Sequence, residues 1–237
     1  MTPAPQKVAV LLAGSGAKDG SEITESVSLI VGLSLCGLDY QIFSPNRNQF
    51  EVVDHSTGFA ADQVRSMLDE TNRIARGRAR PLEALNVHEF SALAIAGGFG
   101  TAKNLCTYGM DGVMAQLFPD VESTLLSFIE NSKPIAALCI APMIVALAFK
   151  KLNLKGVELT LGDGSAKTAI AVLESWGAKH VICGKQDAVV DTKYQVITAP
   201  AYMYENATPA DIFKCTESLV QKLQSLLHPH IERQTGY

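Results

Sequence analysis

Cys139 is the residue of this 237-residue chain whose type and setting first suggest chemistry. It ends the run Ile135-Ala136-Ala137-Leu138, which is predicted to be a buried strand, and helix-forming sequence starts at once with Ile140-Ala141-Pro142. Such a turn lifts a side chain to the C-terminal edge of the sheet, where open α/β folds bind ligands. The N–H groups of the adjoining helix terminus favour a thiolate, so Cys139 is expected to be a nucleophile of depressed pKa. A free cysteine is also commonly a small buried residue, and the spacing alone leaves both readings open.

Two further stretches fit a thiol nucleophile. Gly97-Gly98-Phe99-Gly100 follows a predicted strand over residues 91–95, and backbone N–H groups in such a turn can face a developing oxyanion. Alone it reads better as a plain tight turn; the shared sheet edge with Cys139 is what argues for the oxyanion site. Glu22 and Glu25 stand three apart at the start of the first helix, so both carboxylates can lie on one face. Acidic residues also suit a helix's first turn through the macrodipole, which accounts for one of them comfortably.

These residues must be positioned by a sheet, and the pattern supplies one. Short apolar runs alternate with amphipathic stretches, the mark of βαβ units and a parallel sheet. Strands are expected over residues 8–13, 40–43, 91–95, 135–138 and 157–161. Helices are expected over 21–36 (capped by Ser21 and closed by Gly37), 64–76, 121–129, 141–151, 166–176 and 208–227. Residues 188–191 and 194–198 flank a polar turn and read as a β-hairpin. The fold class expected is α/β: a doubly wound, mostly parallel sheet of about six strands sandwiched by helices, with that hairpin near the C-terminal third.

Composition narrows the function. The chain is 47% hydrophobic and 19% charged with net charge −4, ordinary globular values, and its 20 Lys and Arg are scattered. Nothing points to nucleic acid or to a membrane as partner, and no apolar run reaches the roughly 18 residues a membrane span needs. The five cysteines are odd in number and widely spaced, which suits neither a disulfide framework nor zinc. The first residues lack a secretory pattern and the Arg-rich pattern of a transit peptide, and the unpaired cysteines fit a reducing compartment, so a cytoplasmic location is expected.

Asp19-Gly-Ser-Glu-Ile-Thr-Glu25, Ala96-Gly-Gly-Phe-Gly-Thr-Ala-Lys-Asn-Leu105, Cys139-Ile-Ala-Pro142 and Thr198-Ala-Pro-Ala-Tyr-Met203, in that order, resemble the ElbB family. These are isoprenoid-biosynthesis-associated, glyoxalase-like proteins in the PfpI/Parkinson-deglycase branch of the class I glutamine amidotransferase-like superfamily. The resemblance covers nearly the whole chain. It implies a flavodoxin-like, glutamine amidotransferase-like fold, one PfpI-type domain over residues 1–237, a homodimer and no cofactor. Cys139 becomes the nucleophile, and Gly98 and Ile140 supply oxyanion N–H groups, with Gly97 beside them. The family's acid/base glutamate lies twelve residues before the glycine closing the first helix; counted back from Gly37 that is Glu25, with Glu22 second. The activity implied is that of a lyase, a glutathione-independent glyoxalase acting on a small 2-oxoaldehyde.

The chain departs from many superfamily members in having no histidine directly after the cysteine or about twenty residues beyond it, so a Cys–Glu pair replaces a Cys–His dyad. His230-Ile-Glu232 has the order a glutaminase needs but lies past the last helix. Gly14-x-Gly16-x-x-x-Gly20 misses the dinucleotide fingerprint. No His, Cys or acidic cluster has metal-ligand spacing. The remaining rival is a non-enzymatic redox sensor or partner-binding protein using Cys139 as an oxidisable thiol.

Overall fold

The computed structural model describes residues 6–228, and the His230-Ile-Glu232 motif lies outside them. The main sheet has seven strands: β1 (Lys7–Leu11), β2 (Asp39–Ser44), β3 (Arg80–Pro81), β4 (Ala92–Ile95), β5 (Ile135–Leu138), β6 (Val189–Asp191) and β7 (Val196–Ala199). Their spatial order is β6-β7-β5-β4-β1-β2-β3, parallel throughout except for β6, which pairs antiparallel with β7 as the expected hairpin. Six helices flank the sheet: α1 (Ile23–Leu35), α2 (Met67–Ala75), α3 (Pro119–Glu130), α4 (Pro142–Lys151), α5 (Lys167–Ser175) and α6 (Pro209–Leu227). This is the doubly wound, mostly parallel fold expected.

β1 and β4 are apolar and buried along nearly their whole length because helices cover both faces of the sheet. Every residue of α4 from Pro142 to Phe149 is buried, which makes it the central helix of the layer it shares with α3 and α5. On the other layer α1 crosses α6 closely: a Cβ on Gly32 would lie 3.2 Å from Val220 Cγ2. The register aligns the strand ends that matter. Leu11 stands opposite Ile95, Ile95 opposite Ala137, and Leu138 opposite Ala199. The loops leaving β1, β4, β5 and β7 therefore emerge side by side. From β1 the chain winds outward to β2 and β3; from β4 it winds the other way to β5 and β7. The crevice between β1 and β4 is thus the switch point of the fold, the usual ligand position in such sheets.

Three local expectations change. Residues 157–161 do not join the main sheet: Glu158–Leu159 pairs with Lys179–His180 in a separate two-stranded sheet. The side chains of Asp191 and Thr198 accept from the Glu158 and Thr160 N–H groups at 2.8 and 2.9 Å, where a further ladder would have bonded backbone to backbone. Arg80–Pro81 is a sheet strand that its proline disguises, tolerated because it lies on the edge. α1 is capped by Glu22 and not by Ser21, whose hydroxyl instead accepts from the Ala13 N–H at 2.9 Å.

Candidate active site

Cys139 sits where β5 turns into α4, in the left-handed conformation with φ of 57°. A side-chain-bearing residue rarely adopts that region, and it does so here in the strand-to-helix elbow that aims a nucleophile over the sheet edge. Its N–H donates to Ala199 O of β7 at 2.9 Å, which locks the elbow to the neighbouring strand. The residue is 8% exposed and lines a hollow of about 450 Å³ with Ala17, Glu22, Glu25, Phe99, Ile140 and Met203.

Glu25, in the first turn of α1, is fully buried, and its Oε2 accepts from the Gly97 N–H at 2.9 Å. Position 97 has no room for a side chain: a Cβ there would stand 2.5 Å from Cys139 Cβ and 2.6 Å from Glu25 Oε2. The missing atom is what lets thiol and carboxyl flank the same backbone. Gly98 takes φ of 102°, open to glycine alone, and a Cβ on it would lie 2.5 Å from the Glu22 N. That close approach goes with a bond from the Glu22 N–H to Gly97 O at 2.9 Å, which ties the start of α1 to the β4 loop.

Electrostatics correct one expectation. The Cys139 thiol is not depressed: burial pushes it well above its usual range, the charge of Glu25 adds to the rise, and the Gly98 and Ile140 N–H groups oppose it. A helix terminus favours an anion modestly, and loss of water around a buried sulfur outweighs it. Glu25 is pushed up to about 8, first by burial and then by the charge of Glu22, against the pull of the Cys139 thiol and the Gly97 and Tyr202 N–H groups. Although the thiol is near enough to pull on the carboxyl, the buried Glu25 Oε1 has no partner of normal hydrogen-bond geometry among the described residues. A carboxyl that keeps its proton to about 8, with one oxygen uncommitted, is equipped to move a proton.

Glu22 takes a different part. It is the N-cap of α1, its carboxylate accepts from the Glu25 N–H at 2.7 Å, and burial raises its pKa. Each carboxylate thus accepts one backbone N–H, but Glu22 is partly exposed whereas Glu25 is sealed in beside the thiol. The structure brings Cys139, Glu25, Glu22, Gly97, Gly98 and Ile140 to one place, and no histidine lines the hollow. Residues without an assigned role in the sequence reading complete it. Tyr202 and Met203 arrive on the turn after β7, behind Ala201 at φ of 44°, and Phe99 and Ala17 meet through a Phe99 N–H bond to Ala17 O at 2.7 Å. The Thr198–Met203 motif was the available signal for the first pair. The glycines after β1 do not form a phosphate cradle, because the N–H groups of Gly14, Gly16, Lys18 and Gly20 are all bonded within the protein.

No protein-family model matches the chain. It is 40% identical over 210 residues to the Homo sapiens protein named glutamine amidotransferase-like class 1 domain-containing protein 3, mitochondrial, covering 85% of this chain and 76% of that one. Identity is again 40%, over 213 residues, to the Rattus norvegicus ES1 protein homolog, mitochondrial, across 86% of this chain and 78% of the other. Among solved structures, an Ehrlichia chaffeensis isoprenoid biosynthesis protein with an amidotransferase-like domain superposes with a TM-score of 0.86. It is 32% identical and the match covers 94% of this chain and 99% of that chain. Drosophila melanogaster DJ-1beta, 16% identical with a TM-score of 0.52, shares the fold. The cytoplasmic expectation is overturned by the relatives, which are named as mitochondrial proteins. Its basis was weak physically, since free cysteines report a reducing environment and not which compartment supplies it.

Proposed function

The chain belongs to the ES1 family of glutamine amidotransferase-like class 1 proteins, and on that footing we propose that it is a glutathione-independent glyoxalase. It would convert glyoxal or methylglyoxal to the 2-hydroxy acid, in mitochondria as its relatives' names suggest. Within the superfamily we place it beside the ElbB-type branch, a view the Ehrlichia chaffeensis structure supports. The observation that carries the activity is Cys139 in its left-handed elbow beside Glu25, a buried carboxyl that exchanges its proton near neutral pH.

The thiol adds to the aldehyde carbon as its proton leaves toward Glu25. The new oxyanion forms beside the Gly98 and Ile140 N–H groups, which bear on the sulfur at rest, and takes the proton back from Glu25 to give the hemithioacetal and free the carboxylate. Glu25 takes the proton from the former aldehyde carbon and returns one to the neighbouring carbon through an enediol. That leaves a thioester of the 2-hydroxy acid, and water releases the acid and restores the thiol. One carbon is oxidised and its neighbour reduced, so no outside redox partner is needed. No Lys or Arg lines the hollow, which suits an uncharged substrate.

NMR detection of glycolate or lactate tests this, with Cys139→Ser alongside: the wild type should form product and the variant should fall to background. Product that survives the change, or none from either protein, rejects the glyoxalase and puts the redox-sensor reading ahead. A homodimer belongs to the same proposal. Ile23, Val27, Val31 and Leu35 leave an exposed apolar ridge of four-residue spacing on α1, which a second copy could pack against. A monomer mass in analytical ultracentrifugation would remove that part.

A further inference from the structure

A two- or three-carbon aldehyde leaves most of the hollow at Cys139 empty. At about 450 Å³ it falls in the range of sites that take drug-sized ligands, whereas methylglyoxal has five non-hydrogen atoms. A second hollow of about 670 Å³ adjoins it, and Tyr202 and Met203 line both. These two half-buried side chains on the turn after β7 are the lining common to both, a waist between the hollows. The two sides differ in character. Around the sulfur the lining is largely apolar, from Ala17, Phe99, Ile140 and Met203. Beyond the waist it is polar, with Asp163, Ser165, Lys185, Tyr204, Glu205 and Asn206.

The charges of the outer hollow decide what it can hold. Lys185 Nζ lies 3.7 Å from Asp211 Oδ2, so its charge is already matched, and Asp163 adds a carboxylate held ionised by the Ser165 N–H. A phosphate or carboxylate would meet no net positive field there. With Lys185 matched by Asp211, the carboxylates of Asp163 and Glu205 leave the lining acidic, and such acceptors beside the Asn206 amide suit hydroxyl groups and disfavour anions.

We propose that the two hollows form one substrate cleft for a longer 2-oxoaldehyde whose chain beyond the reacting carbons bears hydroxyl groups. The proposal rests on the glyoxalase reading and extends it from two or three carbons to about six. The aldehyde and ketone carbons lie at Cys139, a methylene passes the waist, and the hydroxyls meet Asp163, Ser165 and Asn206. The reaction balances as before: the substrate takes up one water, its first carbon becomes a carboxylate and its second a secondary alcohol.

The probe is 3-deoxyglucosone, a six-carbon 2-oxoaldehyde with a hydroxylated tail, compared with methylglyoxal by NMR of the acid products. For the wild type kcat/KM should favour the longer substrate at least tenfold. The double variant Asp163→Ala/Asn206→Ala should bring the ratio to within about threefold and leave methylglyoxal turnover unchanged. Equal kcat/KM in the wild type, or a preference that survives in the double variant, overturns the extended cleft while leaving the glyoxalase standing. If neither aldehyde is consumed, the glyoxalase falls, and calorimetry on Cys139→Ser then judges the cleft separately. Tighter binding of the six-carbon 2-hydroxy acid than of lactate supports it, and equal binding overturns it.

Discussion

Cys139 and Glu25 are both buried, and two negative charges side by side in that setting are costly, so the pair titrates as a unit. Its first proton leaves from Glu25 near about 8, and the carboxylate that results can take the thiol's proton as an electrophile approaches the sulfur. Alkylation of Cys139 by iodoacetamide should accordingly climb as pH rises through about 8, while Cys183 and Cys215, both pushed up to about 11 by burial, stay slow. Glu25→Gln removes the proton acceptor, which should move the midpoint upward and slow alkylation at pH 7 by about tenfold. Glu22→Gln should matter less, since Glu25 and not Glu22 acts directly on the Cys139 thiol. A rate already fast at pH 6 and flat to pH 9 would show a thiolate already formed and contradict the burial account.

At the scale of elements, the site depends on loops from four strands keeping their register, and Asn104 does much of that work. It ends the one-turn helix Thr101–Asn104 after the glycine turn and is 2% exposed. Its Nδ2 donates to Ala13 O at 3.0 Å and to Asp19 O at 2.8 Å, and its Oδ1 accepts from the Phe50 N–H at 2.9 Å. One side chain thereby joins the β1 loop, the β4 loop and residues 46–66. Asn104→Ala would leave three backbone groups unpaired, for a loss of about 3 kcal/mol. Chemical denaturation should show that loss. Stability within 0.5 kcal/mol of wild type would mean that water replaces the amide and the loops hold their register unaided.

Over the whole molecule the site opposes stability. Glu25 is raised in the folded chain above its unfolded value, so folding retains a proton that the unfolded chain releases. Its contribution is least unfavourable below about pH 4, and stability is lost as pH climbs from there through about 8. The full rise amounts to at most about 5 kcal/mol. Glu25→Gln should therefore be as stable as wild type near pH 5 and higher in Tm by several degrees at pH 9, while losing activity. Equal Tm at both values would place the Glu25 pKa in the ordinary range and remove the proton-exchange role.

What sequence determines here is set by local chemistry. The alternation of apolar and amphipathic runs prescribed the parallel sheet, because covered strands must be apolar on both faces. The abrupt passage from Leu138 through Cys139 to Pro142 marked the elbow. Tertiary structure decided the rest, where partners come from distant positions. Whether Glu158–Leu159 joined the main sheet depended on Asp191 and Thr198. The upward shift of the Cys139 thiol depended on burial that no stretch of residues displays. The waist at Tyr202 and Met203 exists because β7 lies beside β5, a neighbour relation that only the folded sheet creates.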